Sequence, residues 1–484
     1  MKETRGEVAQ VDFSGMDGET AKLYRLDGRP KFRLAAPVAL QHLLAMFASN
    51  IAPVIIVTGA GGLALAADDP RRGIMLSAVM FAAGIATLVN CYPIRLGRKV
   101  QIGSGLPVIM GTAMTFVAPM LVVVAWAKEN TANPVGALIG AVMVAAFAEM
   151  IIGLFYRYLK PFFPPLVIGC TLLSLGLSLL PVGVNYLAGG QPALPSGALN
   201  PAYATVPNMI LGFGVFFLNL FLQRFGTGMW KISSILISLV VGYLVAIPMG
   251  LVNFASVSGA AVFSVPVPWQ LRPEFHPQAI VMLLTIFLVS GLSTIGYTGA
   301  MTSNVLGREA RVKETSGAIF NDSLSSVFAA CFNALPSTEF GANSGMVILT
   351  KICNRWCIAL TAFAVILASF FPHLAAVLGA IPESVLGGGV LAVFAMIMTN
   401  GVIMVSKSGF SSRNVVMLTV IFGIGLGFAG SGPLHGHLIR NFPGWMQFIF
   451  RDRITLISIV AVLTNVLFMR KADWQGLKER FKEE

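Results

Sequence analysis

ALPSTEFGANSGMVILTK, residues 334–351, decides how the rest of the chain is read. Pro336, Gly341 and Gly345 make it a poor helix interior, yet an apolar pattern resumes at Met346. Glu339 and Asn343 stand in the same few residues, between two long apolar runs. Two readings of that carboxylate stand: a loop residue at an external edge, or a group held in irregular backbone inside a cavity.

Composition supplies the surroundings. Of 484 residues, 56% are hydrophobic and 11% charged, with a mean hydropathy of +0.79. Soluble domains carry about 25% charged residues, and none could hide this much apolar surface. The chain reads as an all-α polytopic membrane protein. Apolar runs suggest about 14 spans, each near the length needed to cross the hydrocarbon. They lie at 35–58, 73–92, 106–127, 134–155, 165–188, 206–223, 232–252, 278–303, 316–334, 341–353, 356–380, 384–405, 413–430 and 454–469.

Charge placement tests that count. With the N-terminus inside, the outer loops hold Arg71, Arg72, Lys128, Arg272, Arg440, Arg451 and Arg453, so 26 of the 33 Lys and Arg fall inside. The positive-inside rule produces this bias, and the net charge of +12 reports topology and anionic lipid rather than nucleic acid. No apolar leader precedes residue 34, and the five cysteines form no CxxC pair.

Spans three and ten each open in Gly, Pro and small residues, as in GSGLPVIMGTAMTFVAPM at 103–120. They stand seven spans apart, which divides the chain into 7+7 inverted repeats with short extended segments at the two breaks. Paired broken helices of this kind place half-helix N-termini at a midplane site in secondary transporters.

Ionisable residues inside spans are costly and tend to be functional. Here they are His42, Glu149, Asp322 and Glu339. Each also has a plainer reading. Glu149 could pair with a loop Arg, His42 with a neighbouring carbonyl, and Asp322 could cap the start of span nine.

Five stretches together resemble the nucleobase–ascorbate transporter family, also called nucleobase:cation symporter-2, which includes uracil, xanthine and urate permeases. They are LQHLLAMF (40–47), LPVIMGTAMTFVAPM (106–120), PFFPPLVIGCTLLSLGLSLLPVGVNYLAGG (161–190), FGANSGMVILTK (340–351) and VLGGGVLAVFAMIMTNGV (385–402). The resemblance implies proton-coupled uptake of a nucleobase by a homodimer. It also implies a core domain at 35–155 (spans 1–4) and 256–380 (spans 8–11), and a gate domain at 156–255 (spans 5–7) and 381–470 (spans 12–14). Residues 1–34 and 471–484 are then cytoplasmic tails, on a multi-pass protein of the cytoplasmic membrane.

The chain departs from the family pattern at two places. Ser293 stands where the family's purine and uracil carriers keep a Glu, with Tyr297 four residues later, and Ala342 stands where the signature has Gln or Glu. Asp322 matches a family Asp. The expected substrate site is therefore His42, Ala113, Ser293, Tyr297, Glu339, Ala342 and Asn343, and the expected proton-coupling groups are Asp322, Glu339 and His42. Glu339 would take over an acceptor or coupling role. If it pointed away, an anion carrier on the same fold would be the better reading. No metal cluster, nucleophile elbow or phosphate loop suggests an enzyme, a metal or a cofactor.

Overall fold

A computed structural model describes residues 17–469, except 60–61, 67–68, 97–99, 113, 160–161, 163, 191, 193–199, 227–229, 231–233, 253–262, 309, 341–342, 345–346, 348–349, 372, 374–376, 378–379, 429–449 and 451–452. A turn of helix, α1 (Gly18–Ala21), leads into α2 (Phe32–Thr58) and α3 (Pro70–Cys91). Strands β1 (Ile94–Leu96) and β2 (Val100–Ile102) form a hairpin, followed by β3 (Met110–Gly111), α4 (Val117–Asn130) and α5 (Pro134–Leu159). Next come α6 (Pro165–Leu187), α7 (Val206–Phe225), α8 (Ser234–Ala246), α9 (Pro277–Val305) and α10 (Val312–Cys331). After β4 (Thr338–Glu339) the chain runs through α11 (Arg355–Ser369), α12 (Glu383–Lys407), α13 (Ser412–Phe428) and α14 (Arg453–Leu467).

The helices begin where local chemistry allows. Pro70, Pro165 and Pro277 sit in the first turns of α3, α6 and α9, where a missing N–H costs nothing. Asp69 caps α3 by accepting from Arg71 N at 2.9 Å, and Asn354 caps α11 by accepting from Cys357 N at 3.1 Å. Six described helices are long and apolar enough to cross a membrane, α3, α5, α6, α7, α9 and α12. At about 1.5 Å per residue, even the 20 residues of α7 reach about 30 Å, the depth of a bilayer core.

Two packing groups emerge. In one, α5 lies against α9 and α10, and α3 against α11; in the other, α12 lies along α6 and α7. Glycine sets the second approach. A Cβ on Gly387 would sit 1.9 Å from Leu187 N, and one on Gly401 would sit 2.4 Å from Leu173 N. Small residues let membrane helices meet backbone to backbone, since lipid supplies no hydrophobic drive between them. The outer faces stay apolar: Ile210, Phe217 and Phe225 of α7 are 65%, 61% and 65% exposed.

Residues 22–28, within the stretch read as a tail, are docked at the start of α11. Asn354 Nδ2 donates to the carbonyls of Lys22, Arg25 and Gly28 at 2.9, 3.0 and 2.8 Å. Arg355 adds an ion pair to Asp27 at 2.5 Å and a bond from Nε to Gly105 O at 2.6 Å. Segments that the charge pattern assigns to one side thus meet. On the opposite set, Asn133 reaches Arg272 O at 3.1 Å.

Candidate functional site

The site is built around two strands from distant parts of the chain. β3 and β4 pair antiparallel, Met110 opposite Glu339 and Gly111 opposite Thr338. Phe340 N extends the pairing to Ile109 O at 2.8 Å. All four strand residues are buried. Buried irregular backbone needs partners for its polar groups, and side chains of neighbouring helices supply them. Thr87 Oγ1 accepts from Met110 N at 3.0 Å, and Asn50 Oδ1 accepts from Thr112 N at 2.8 Å. Asn90 Oδ1 accepts from Ser104 N at 2.8 Å. On the other strand, Ser326 Oγ accepts from Ser337 N at 3.0 Å and donates to Ser337 O at 2.8 Å.

Glu339 is 2% exposed. It is not an edge-loop residue. Thr298 Oγ1 lies 3.4 Å from both of its carboxyl oxygens, and Asn90 and Tyr297 also face it. Asp322 is fully buried at mid-α10, so it is not a helix cap. Its Oδ2 accepts from the hydroxyls of Thr294 and of Thr338, the latter at 2.9 Å. The Glu339 backbone N–H is aimed at the same carboxyl. Asp322 thereby holds the strand that carries Glu339.

His42 on α2 is 2% exposed, and its Nδ1 meets Asn343 Nδ2 at 3.1 Å. Asn343 Nδ2 also reaches His42 O at 3.3 Å, while Asn343 Oδ1 is buried with no partner. Asn50 Nδ2 and Ser344 Oγ are likewise buried without one. Such atoms are what a ligand or water satisfies. Ser293 is left as an acceptor: its hydroxyl donates to Val289 O at 3.1 Å, one turn back on its own helix. Ala113 and Ala342 fall outside the described residues. The structure thus gathers Tyr297 and Asp322 about Glu339, and pairs His42 with Asn343.

Sequence reasoning misplaced Glu149. Among the described residues it makes no ion pair with a loop Arg, and it lies fully buried on α5 against Gly291 of α9, near Asp322 and Glu339. Sequence reasoning also passed over Asn50, Thr87 and Asn90. A readable signal existed on α9, where Ser290, Thr294, Thr298 and Thr302 recur every four residues and all are buried. That spacing lines one helix face with hydroxyls. No group of three or more metal-ligating side chains occurs among the described residues.

A helical membrane protein that buries carboxyls around two short strands at the meeting point of its helices has the architecture of a solute carrier. The Permease family model Xan_ur_permease matches residues 34–431, and the chain belongs to that family. The resemblance read from five sequence stretches therefore holds. The chain is 29% identical over 453 residues to the xanthine permease XanP of Escherichia coli, covering 92% of this chain and 94% of that one. It is 30% identical over 436 residues to the uric acid permease PucK of Bacillus subtilis, covering 90% and 95%. Among solved structures it resembles the transmembrane domain of the cyanobacterial bicarbonate transporter BicA, with TM-score 0.53, 13% identity and 95% and 99% coverage. Murine Slc26a9, an anion transporter, gives TM-score 0.59 at 12% identity, covering 90% of this chain and 67% of that one. These structural likenesses speak to fold alone.

Proposed function

We propose that this chain is a secondary active transporter that takes up a purine-like nucleobase together with protons. The observation that carries the reading is Glu339, a buried acceptor on a strand at the pairing of β3 and β4. A purine base presents several N–H donors on its edges, and an ionised carboxyl accepts from them in charge-assisted hydrogen bonds, stronger than those to a neutral acceptor. Relatives named as xanthine and uric acid permeases over nearly the whole chain support the same class. His42, Tyr297, Asn343 and the segments at Ala113 and Ala342 complete the substrate site. Asp322, Glu339 and His42 are the groups through which a proton would couple.

The same reading includes fourteen spans as two inverted sevens, core and gate domains, both termini cytoplasmic and a homodimer in the cytoplasmic membrane. The charge bias supports the orientation. An anion carrier on this fold is disfavoured by the site itself. Asp322 and Glu339 meet there, with Glu149 behind them, and no ion pair to Lys, Arg or His reaches these carboxyls among the described residues.

Uptake of labelled xanthine, urate, uracil, sulfate and bicarbonate into cells or vesicles, with and without a protonophore, tests the class. Protonophore-sensitive uptake of a base and none of the anions is expected. Anion uptake without base uptake would overturn it. A reporter fused after Glu484 should read as cytoplasmic.

A further inference from the structure

Glu149 has no task in the site just described, yet its burial is complete. Neither carboxyl oxygen makes a formed hydrogen bond, and no cation stands beside it among the described residues. An ionised carboxylate left dry and unpaired is among the costliest arrangements a protein can hold. The neighbours make it worse, because the charged groups that face Glu149 are Asp322 on α10 and Glu339 on β4, both acidic. The pocket it fills is shaped for it. Gly291 stands opposite, and a Cβ there would lie 3.2 Å from Glu149 Cγ and 3.4 Å from Oε1.

The carboxyl faces the hydroxyl of Ser290, the residue before that glycine. Ser290 has one proton to give, and it gives it to Thr338 Oγ1 at 2.9 Å. Thr338 in turn donates to Asp322 Oδ2 at 2.9 Å. Ser290 therefore has nothing left to donate to Glu149 and only a lone pair to offer. The contact becomes a hydrogen bond when Glu149 carries a proton. The order Glu149, Ser290, Thr338, Asp322 then reads as one line of donors, all pointing the same way. It runs from α5 through α9 to the strand that bears Glu339.

We propose that Glu149 and Asp322 exchange a proton through the hydroxyls of Ser290 and Thr338. In the transfer, the Glu149 O–H bond breaks as Ser290 Oγ takes that proton. Ser290 passes its own proton to Thr338, and Thr338 passes its own to Asp322 Oδ2. Glu149 ends as carboxylate and Asp322 as neutral acid, each hydroxyl keeps one proton, and the line of donors is reversed. Thr294, which also donates to Asp322 Oδ2, holds that oxygen in place. The relay moves the protonation of Asp322, and with it the hold on the Glu339 backbone, from a carboxyl that the substrate need not touch.

This rests on the proton-coupled reading above, and the test separates the two. Purified protein in vesicles is assayed with labelled xanthine for accumulation driven by a pH gradient, and for exchange against internal xanthine with no gradient. With a one-unit gradient, a one-proton carrier accumulates about tenfold, since one pH unit is one decade of free energy. Glu149→Gln and Ser290→Ala should bring accumulation to near the outside concentration while exchange persists. Ser290→Thr and Thr338→Ser, which keep a hydroxyl, should retain accumulation, whereas Thr338→Val should lose it. Infrared spectra of the unliganded protein should lose one protonated-carboxyl band in Glu149→Gln, a readout that needs no transport. Wild-type accumulation that ignores a protonophore would overturn both readings. Wild-type accumulation that collapses with protonophore, with full accumulation by Ser290→Ala or Glu149→Gln, would overturn the relay alone.

Discussion

Met110–Gly111 and Thr338–Glu339 run antiparallel in one register, yet one pair offers a thioether and a bare Cα while the other offers a hydroxyl and a carboxyl. Their supports differ in the same sense. β3 takes its polar partners from Asn50 on α2 and Thr87 on α3, neither of which has charge to give. β4 brings its own functional groups and is tied to the Asp322 carboxyl and a stripe of hydroxyls on α9. In the proposed site, one strand contributes shape, the other chemistry. Two similar backbone pieces facing one another can thus be an asymmetric site, in which only one half needs titratable groups.

The largest effect should come from spoiling the shape. A Cβ on Gly111 would lie 2.1 Å from Asn50 Oδ1, the atom that accepts from Thr112 N. Gly111→Val pushes that side chain away and leaves a buried N–H unpaired, at a cost of about 2 kcal/mol or more. Transport at background level and a lower melting temperature in detergent are expected. Normal uptake by Gly111→Val would mean that the strand pair does not shape the site.

Next come the groups on β4. Glu339→Gln keeps the size of the side chain and removes its charge. Losing one charge-assisted hydrogen bond should weaken equilibrium binding of xanthine by about tenfold or more. Asp322→Asn keeps one carbonyl oxygen to accept from Thr294 and Thr338, so the strand stays held. Gradient-driven accumulation should then fall much further than binding, toward a ratio of about one under a one-unit gradient. Equal losses in both assays would assign Asp322 to support of the strand rather than to coupling.

The helical membrane class was legible because composition and periodicity are properties of whole segments, and α3, α5, α6, α7, α9 and α12 fall within a few residues of the apolar runs. Glu339 and Asn343 stood out because a carboxylate and an amide beside Pro and Gly are conspicuous in apolar surroundings. Glu149 was misread for the opposite reason. It sits in AAFAEMIIG on an otherwise ordinary helix, and what makes it unusual is Gly291 and Asp322, more than 140 residues away. Asp322 looked like a possible cap for the same reason: the helix start is fixed by Arg311 and Glu314, whose carboxyl accepts from Arg311 N at 2.9 Å and pairs with Arg308. Ser293 stands at a functional position of the family pattern, and its one proton goes to Val289 O, a partner the family pattern does not indicate. Ala113 and Ala342 lie outside the described residues.

The smallest expected effect is also the sharpest test of the asymmetry. Met110 pairs with Glu339 across the two strands and is fully buried. If β3 contributes only backbone, the Met110 side chain matters for filling space and not for its sulfur. Met110→Leu conserves volume and keeps the N–H and C=O that meet Thr87. Such swaps usually cost less than about 1.5 kcal/mol, so folding yield should hold and the melting temperature should move by a few degrees at most. Xanthine affinity and gradient-driven accumulation should stay within about twofold of wild type, because no transferred proton or bound base depends on that residue. Glu339→Asp, the matching conservative change across the pair, should not be tolerated in the same way, since shortening the side chain withdraws the carboxyl from Thr298. Comparable losses in the two variants would show that β3 supplies chemistry as well as shape, and the division between the strands would fall.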